Sequence, residues 1–418
     1  MTDSLWGGIL PSENSKELAE RLRKSLFERM SVSGAAESLE LLYRLRDELG
    51  LELTVGKRIP EELNKLIDEV PKSLDVAGLQ DIALRFSPFV TELYKVRPSV
   101  GIVCALAGSF LDKLLTTMCE HAVCLLKSEG RVVPETPWAL LTSGEMGREE
   151  TILGRRSSFF FVYGEETEPP GCSKELALKL RALLTSCFPA LNAAQGNPLV
   201  FFWSGSTPEW LALSSALLKG EKNDVTDDYQ RGYAQIFETL ADLRTVGGDA
   251  TFGRTLIDAG RKQLADSIHS ELFWQFAKDI AHMPVAVGLF GRFKTVKSGK
   301  NRGKFDLKEL VLDPMTAAAR ILAISSGGAE TSFTGRIKAI LATGNIGVAL
   351  ADRLLIAYQD FMREMIKIDL AGEQEGGALF FDPEQMNEEA RERFKAGMED
   401  VTTLQRLVHQ QLVEVEQG

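Results

Sequence analysis

The residues best suited to chemistry lie between positions 138 and 163. A short apolar run, Trp138–Leu141, leads into Gly144-Glu145-Met146-Gly147-Arg148-Glu149-Glu150. Eight residues after Arg148 come Arg156 and Ser158, directly before a second apolar run, Phe159–Tyr163. A glycine-bearing turn after a strand can aim backbone amides at a phosphate, and it can equally be a turn that needs positive φ at Gly144 and Gly147. Arg148, Arg155 and Arg156 offer guanidinium groups that grip phosphate oxygens in a bidentate fork. The competing expectation makes Arg155 and Arg156 a solvated strand edge, with Arg148 and Glu150 an ion pair that holds the turn.

The elements that must position these residues are legible as periodicities. The two apolar runs are strand candidates and Leu199–Trp203 is a third, with a helix expected over Lys174–Phe188. About the first 130 residues read as helical. An amphipathic hairpin over Ser15–Leu49 presents Leu18, Leu22 and Leu26, then Leu39, Leu42 and Leu45, and helices follow at Leu79–Lys95 and Val100–Lys127. Beyond a polar connection, Lys219–Asp228, helices are expected at Tyr229–Leu243, Arg254–Ile280, Asp313–Ser325, Ser332–Thr343 and Gly347–Leu370. A hairpin over Phe290–Leu310, with Ser298-Gly299 and Arg302-Gly303 between two short runs, interrupts them. The predicted class is α+β and mostly helical, a small mixed sheet between an N-terminal helical region and a C-terminal helical domain. The predicted division is a helical extension over 1–75 and a sheet-bearing domain over 76–228, itself a helical lead-in (76–130) and an α/β core (131–228). A C-terminal helical domain follows over 229–372, then a charged tail over 373–418, helical or partly disordered.

The strand, glycine turn and second strand resemble the active-site region of the nucleotidyltransferase family related to protein-PII uridylyltransferases and glutamine-synthetase adenylyltransferases. That family carries a Gly-Ser-x-Gly-Arg-x-Glu turn followed by Asp-x-Asp. Gly144, Gly147, Arg148 and Glu150 match the frame; Glu145 stands at the serine, and Arg156 and Ser158 stand at the two aspartates. Ala241-Asp242-Leu243-Arg244-Thr245-Val246-Gly247-Gly248-Asp249 looks like the family's Asp-Leu-Arg motif. Phe305-Asp306-Leu307-Lys308, Asp313-Pro314-Met315 with Ala319-Arg320, and Thr334 with Arg336 follow in the family's order and spacing. The resemblance covers roughly residues 78 to 370; the first 75 residues match nothing known to us.

In that family two carboxylates at i and i+2 of a strand point to one face and hold divalent ions over the triphosphate. The resemblance therefore implies Mg²⁺ and a nucleoside triphosphate if the protein is active. It implies nucleotide or phosphate contacts from Gly144, Glu145, Gly147, Arg148, Glu150, Arg156 and Ser158, with Asp242 as a remnant of the catalytic carboxylates. Contacts within the C-terminal domain would come from Arg244, Lys308, Arg320 and Arg336, and Asp242 with Arg244 is expected to form a structural pair. Two unit charges about 4 Å apart interact by roughly 4 kcal/mol at an effective dielectric near 20, twice that for a divalent ion, so Arg156 repels the metal an aspartate would hold. No metal ligand set is expected to remain. The leading expectation is a catalytically impaired nucleotidyltransferase-like protein that binds a nucleotide or a protein partner. One rival is an active enzyme modifying a protein, with Glu145, Glu149 or Glu150 recruited as metal ligands. Another is an interaction protein with an empty cleft. An open groove walled by Gly144, Arg148 and Arg156 would favour ligand sensing, and one filled by Met146 and Phe159 would favour scaffolding.

Composition narrows the partners. With 418 residues, 44% hydrophobic and 26% charged, the chain can build more than one core. Its net charge of -11 argues against a protein that coats nucleic acid. The longest uncharged apolar stretch, Pro98–Leu111, is shorter than a bilayer span and reads as a buried helix, so no membrane partner is expected. Five cysteines without a CxxC pair and no signal-peptide pattern at Met1–Pro11 point to free thiols in the cytoplasm. Cys119 and His121 would point about 200° apart on a helix, so with Cys124 they make no metal site. The hairpin Arg292–Lys308 inverts the local charge with seven basic residues against one aspartate. It could dock an acidic partner or a phosphate, or be a solvated edge kept from aggregating by its lysines.

Overall fold

The computed structural model describes residues 61–70, 75–96, 98–154, 156–165, 171–191, 199–221, 229–285, 293–372 and 378–414. The predicted hairpin over Ser15–Leu49, Arg155, and the start of the Phe290–Leu310 hairpin with Arg292 lie outside the described residues. A helix over 61–69 (α1) leads to α2 (Val76–Val96) and α3 (Val100–Ser128). The next elements are β1 (Trp138–Ser143), β2 (Arg156–Tyr163), α4 (Cys172–Leu191), β3 (Leu199–Ser206), α5 (Thr207–Leu218), α6 (Tyr229–Ala241), β4 (Arg244–Gly248), α7 (Ala250–Ser267) and α8 (Glu271–Ala281). Then come β5 (Phe305–Asp306), α9 (Asp313–Ser325), α10 (Phe333–Ala342), α11 (Val348–Ala371), β6 (Phe380–Phe381) and α12 (Glu388–Val408). The fold is mostly helical α+β around a small mixed sheet, as the periodicities predict.

The sheet runs β3-β2-β1-β4. β1 pairs antiparallel with β2 and β4, and β2 pairs parallel with β3. From Phe159 to Tyr163 every residue of β2 is buried, so the strand reads as a continuous apolar run without alternation. β4 differs from the expectation, which places Arg244–Gly248 within the C-terminal helical domain. Its five residues carry two glycines and little periodicity, and a bulge between Leu140 and Leu141 shifts the pairing that admits it. Gly247 meets Cys119 of α3 and Gly253 of α7 meets Thr245, so helices press on β4 closely enough to exclude a side chain at either glycine. α5 was also unforeseen. It starts in a full capping box in which Ser206 and Glu209 satisfy each other's end of the turn.

α3 passes a length and hydropathy test for a membrane span, but 61% of its most apolar window is buried inside the protein and Phe110 stacks on Phe86 of α2. It is a core helix, as Pro98–Leu111 predicts. The expected single helix Arg254–Ile280 is two, because Ser270 caps α8 and ends the continuity. The charged tail is ordered through α12, which packs on α9 and α11 through Phe394, Met398, Val401 and Leu404. The expected hairpin is local: Val296 N–H donates to Lys304 O at 2.9 Å and Gly303 N–H to Val296 O at 2.9 Å. The strand that follows, β5, pairs instead with β6. Sequence alone could not foresee a partner about 75 residues away.

Candidate functional site

β1 delivers the chain to the glycine turn at its C-terminal end, and β2 returns beside it with Ser158 opposite Ser143. Gly144 opens the turn at φ +67 with open space where a Cβ would lie. Gly147 is needed for a different reason: a Cβ there would come 2.0 Å from the carbonyl oxygen of Asp242. The turn is thus pressed against the α6–β4 junction.

That contact carries a buried ion network. Arg148 donates from Nε to Glu150 Oε2 at 2.6 Å and from Nη1 to Asp242 Oδ2 at 2.7 Å. Arg320 of α9 reaches Asp242 at 2.9 Å and Glu238 at 3.0 Å, and Arg336 of α10 reaches Asp242 Oδ1 at 2.6 Å. The other oxygen of Glu150 accepts the backbone N–H of Phe333 at 3.0 Å, at the start of α10. Asp242 is fully buried beneath three guanidinium groups. The expected Arg148–Glu150 pair forms, but the expected Asp242–Arg244 pair does not. Arg244 instead grips Asp112 of α3 in a bidentate fork at 2.7 and 2.8 Å. Lys308 pairs with Asp313 at 2.6 Å.

Arg156 is neither a solvated edge nor open to a ligand. Its Nε donates to Glu145 Oε1 at 2.6 Å, and Nη1 and Nη2 donate to the two oxygens of Asp369 at 3.3 and 3.0 Å. Its side chain is 9% exposed. Sequence reading missed Asp369, Asp112 and Glu238. Asp369 left a usable signal: Met362, Met365, Ile366 and Asp369 recur at helical spacing, which puts a carboxylate on the buried face of α11.

Burial pushes the carboxyls of Asp242 and Glu145 up, but their neighbours overrule it. Arg320, Arg336 and Arg148 hold Asp242 well below the usual carboxylate range, and Arg156, Arg148 and Lys308 hold Glu145 below it. Burial pushes the Arg336 guanidinium down to about 10 against the pull of Asp242. The folded state therefore releases protons that the unfolded chain still binds near pH 4. The stability contributed by both carboxylates is complete above that range and is lost as pH falls through their depressed folded values. Urea midpoints measured from pH 6 down to pH 3 should fall, and Asp242→Asn should make the slope shallower.

The cleft between the turn and the C-terminal helices is closed. A cavity of about 20 Å³ remains, bounded by Glu145, Arg148, Glu150, Lys308, Asp313 and Tyr358. One water fills such a space, whereas small-molecule pockets span roughly 300–1,000 Å³. Met146 and Phe159 are buried below the turn, Met146 beside Gly154 and Phe159 edge-on to Phe188. Leu312, Met362 and Met365 close the cleft in their place, with the Arg156 pairs beside them. A wider groove of about 570 Å³ lies at the other end of β1, between Cys119, Glu120, Glu135, Trp138 and Asp249, and contains none of the turn residues. The divalent ion implied by the resemblance does not fit the turn: a guanidinium already occupies the space between Glu145 and Asp369, and Ser158 is the only other residue at the paired positions. Cys119 faces β4, Cys124 is exposed, and among the described residues no group of His, Cys, Asp and Glu forms a metal site.

The glycine turn between antiparallel strands is thus locked by a buried arginine network to the helices that follow it. Residues 270–412 match the family model described as a putative nucleotidyltransferase substrate binding domain. The match agrees with the resemblance read from the sequence and contains Lys308, Arg320, Arg336 and Asp369; the glycine turn and β2 precede it. No curated protein matches the chain.

Proposed function

We propose that this nucleotidyltransferase-like protein, related to the protein-PII uridylyltransferases, no longer transfers nucleotides and works in the cytoplasm by binding a protein partner. One observation carries the reading: Arg156, at the position of the first metal-binding aspartate, is buried between Glu145 and Asp369. A fixed positive charge there does internally what the metal would do between carboxylates. It needs no ion, and it disfavours one by about 8 kcal/mol at 4 Å and an effective dielectric near 20. The glutamates of the turn do not make good the loss. Glu145 gives one oxygen to Arg156 and keeps the other buried without a hydrogen-bond partner, Glu150 is taken by Arg148 and Phe333, and Glu149 is exposed near Arg244. The closed cleft favours a protein partner over a nucleotide, since about 20 Å³ admits neither base nor triphosphate. Burial pushes the thiols of Cys104 and Cys119 up to about 12, so neither is a reactive nucleophile.

Calorimetric titration with ATP, UTP and GTP, each with and without Mg²⁺, should give no heat of binding. Incubation with labelled nucleotides should leave protein acceptors unlabelled. Mg²⁺-dependent labelling would overturn the proposal, and metal-independent nucleotide binding would replace the protein partner with a nucleotide.

A further inference from the structure

Residues 293–304, Phe-Lys-Thr-Val-Lys-Ser-Gly-Lys-Asn-Arg-Gly-Lys, hold five cations and no acid in a chain whose net charge is -11. The structure shapes them into a finger. Val296 and the pair Gly303-Lys304 close its base through backbone hydrogen bonds, with Gly299 and Gly303 at φ +83 and +81. Phe293 anchors the base in an aromatic cluster with Phe305 and Phe394. Lys294, Lys297, Lys300 and Arg302 are exposed and Lys304 is half-buried. Among the described residues none of the five makes an ion pair or side-chain hydrogen bond, whereas Lys308, the next cation, is held by Asp313. The chain leaving the finger reaches the closed cleft at Lys308 and Asp313, which border that cavity.

We infer that this finger docks an acidic, extended segment of a partner protein. The inference rests on the reading of the chain as a protein-binding molecule and names the surface and the chemistry of the partner. Clustered cations on an anchored turn are complementary to carboxylates and cost little further ordering on binding. Nucleic acid is the weaker fit, because the one aromatic of the finger is packed into its base, no base can stack there, and the surrounding chain is acidic. A membrane is weaker still, since the tip residues 297–302 include no apolar side chain to add a second anchor.

Fluorescence anisotropy of a dye-labelled oligoglutamate peptide against the full chain tests this, with poly(U) RNA and phosphatidylserine vesicles as competitors. The peptide should bind at low salt and lose about tenfold or more in affinity near 0.5 M salt, where screening shortens to a few ångströms. The triple variant K297E/K300E/R302E should abolish binding, and the neutral K297Q/K300Q/R302Q should fall between. Reversal of three exposed lysines elsewhere, K219E/K262E/K338E, should leave it unchanged. Failure of the unmodified protein to bind the peptide, equal binding by the finger variants, or tighter binding of RNA or vesicles would overturn the inference. The nucleotide titration does not involve the finger, so that result stands or falls separately.

Discussion

Replacing Asp242 by alanine is expected to lower the unfolding free energy by about 3–5 kcal/mol, the cost of stripping a buried charge network of its central partner. Arg148, Arg320 and Arg336 all converge on this carboxylate, at 2.7, 2.9 and 2.6 Å. Each comes from a different element: the glycine turn, α9 and α10. Without Asp242 three guanidinium groups lie together in a region where burial alone already pushes Arg336 down. Glu238 and Glu150 hold two of them, but Arg336 keeps only backbone carbonyls, those of Ala241 and Glu330. Urea unfolding followed by circular dichroism reads the loss. Adding Arg336→Met to Asp242→Ala should recover part of it, because an apolar side chain of similar length removes the stranded charge. A single variant within 1 kcal/mol of the unmodified protein would show that the network joins the two parts of the molecule without holding them.

The double variant Arg156→Asp, Ser158→Asp should become a metal-dependent fold. Residues 156 and 158 share one face of β2, and Arg156 spans Glu145 and Asp369. Two added aspartates would gather four carboxylates around the space the guanidinium leaves. Their repulsion should lower the melting temperature in chelator, and millimolar Mg²⁺ or Mn²⁺ should restore roughly 3 °C. Ligand at a hundredfold excess over its dissociation constant contributes about 2.7 kcal/mol, and a chain of 418 residues moves by about 1 °C per kcal/mol. The unmodified protein should show no metal response. A metal-induced rise in it, or none in the variant, would mean that Arg156 does not stand in for an ion.

The amino-acid sequence alone was enough to place β1, β2 and β3, because apolar runs bounded by glycine and polar segments say where a buried strand begins and ends. It was enough for Asp313–Ser325 as well, a helix whose proline at its first turn and apolar face are local signals. The glycine turn and its arginine were visible too, since a positive-φ glycine and a strand exit are written in neighbouring residues. The partners were not. Asp112, Asp369 and Glu238 lie 132, 213 and 82 residues from the arginines they bind. No local pattern says which charge meets which across such distances. β4 and the β5–β6 pairing were lost for the same reason, since a short strand is stabilised by its neighbour more than by its own residues.

Residue identity by itself determined that an arginine and a serine, not carboxylates, stand at positions 156 and 158, and that the chain carries one cationic segment against an acidic whole. Only the tertiary structure decided what became of that site. It turned Arg156 inward between two carboxylates, closed the cleft to the volume of a water, and left the basic finger exposed with its charges unmatched among the described residues. Charge is a property of a residue, but whether it is spent or free depends on what the fold brings within about 3 Å of it.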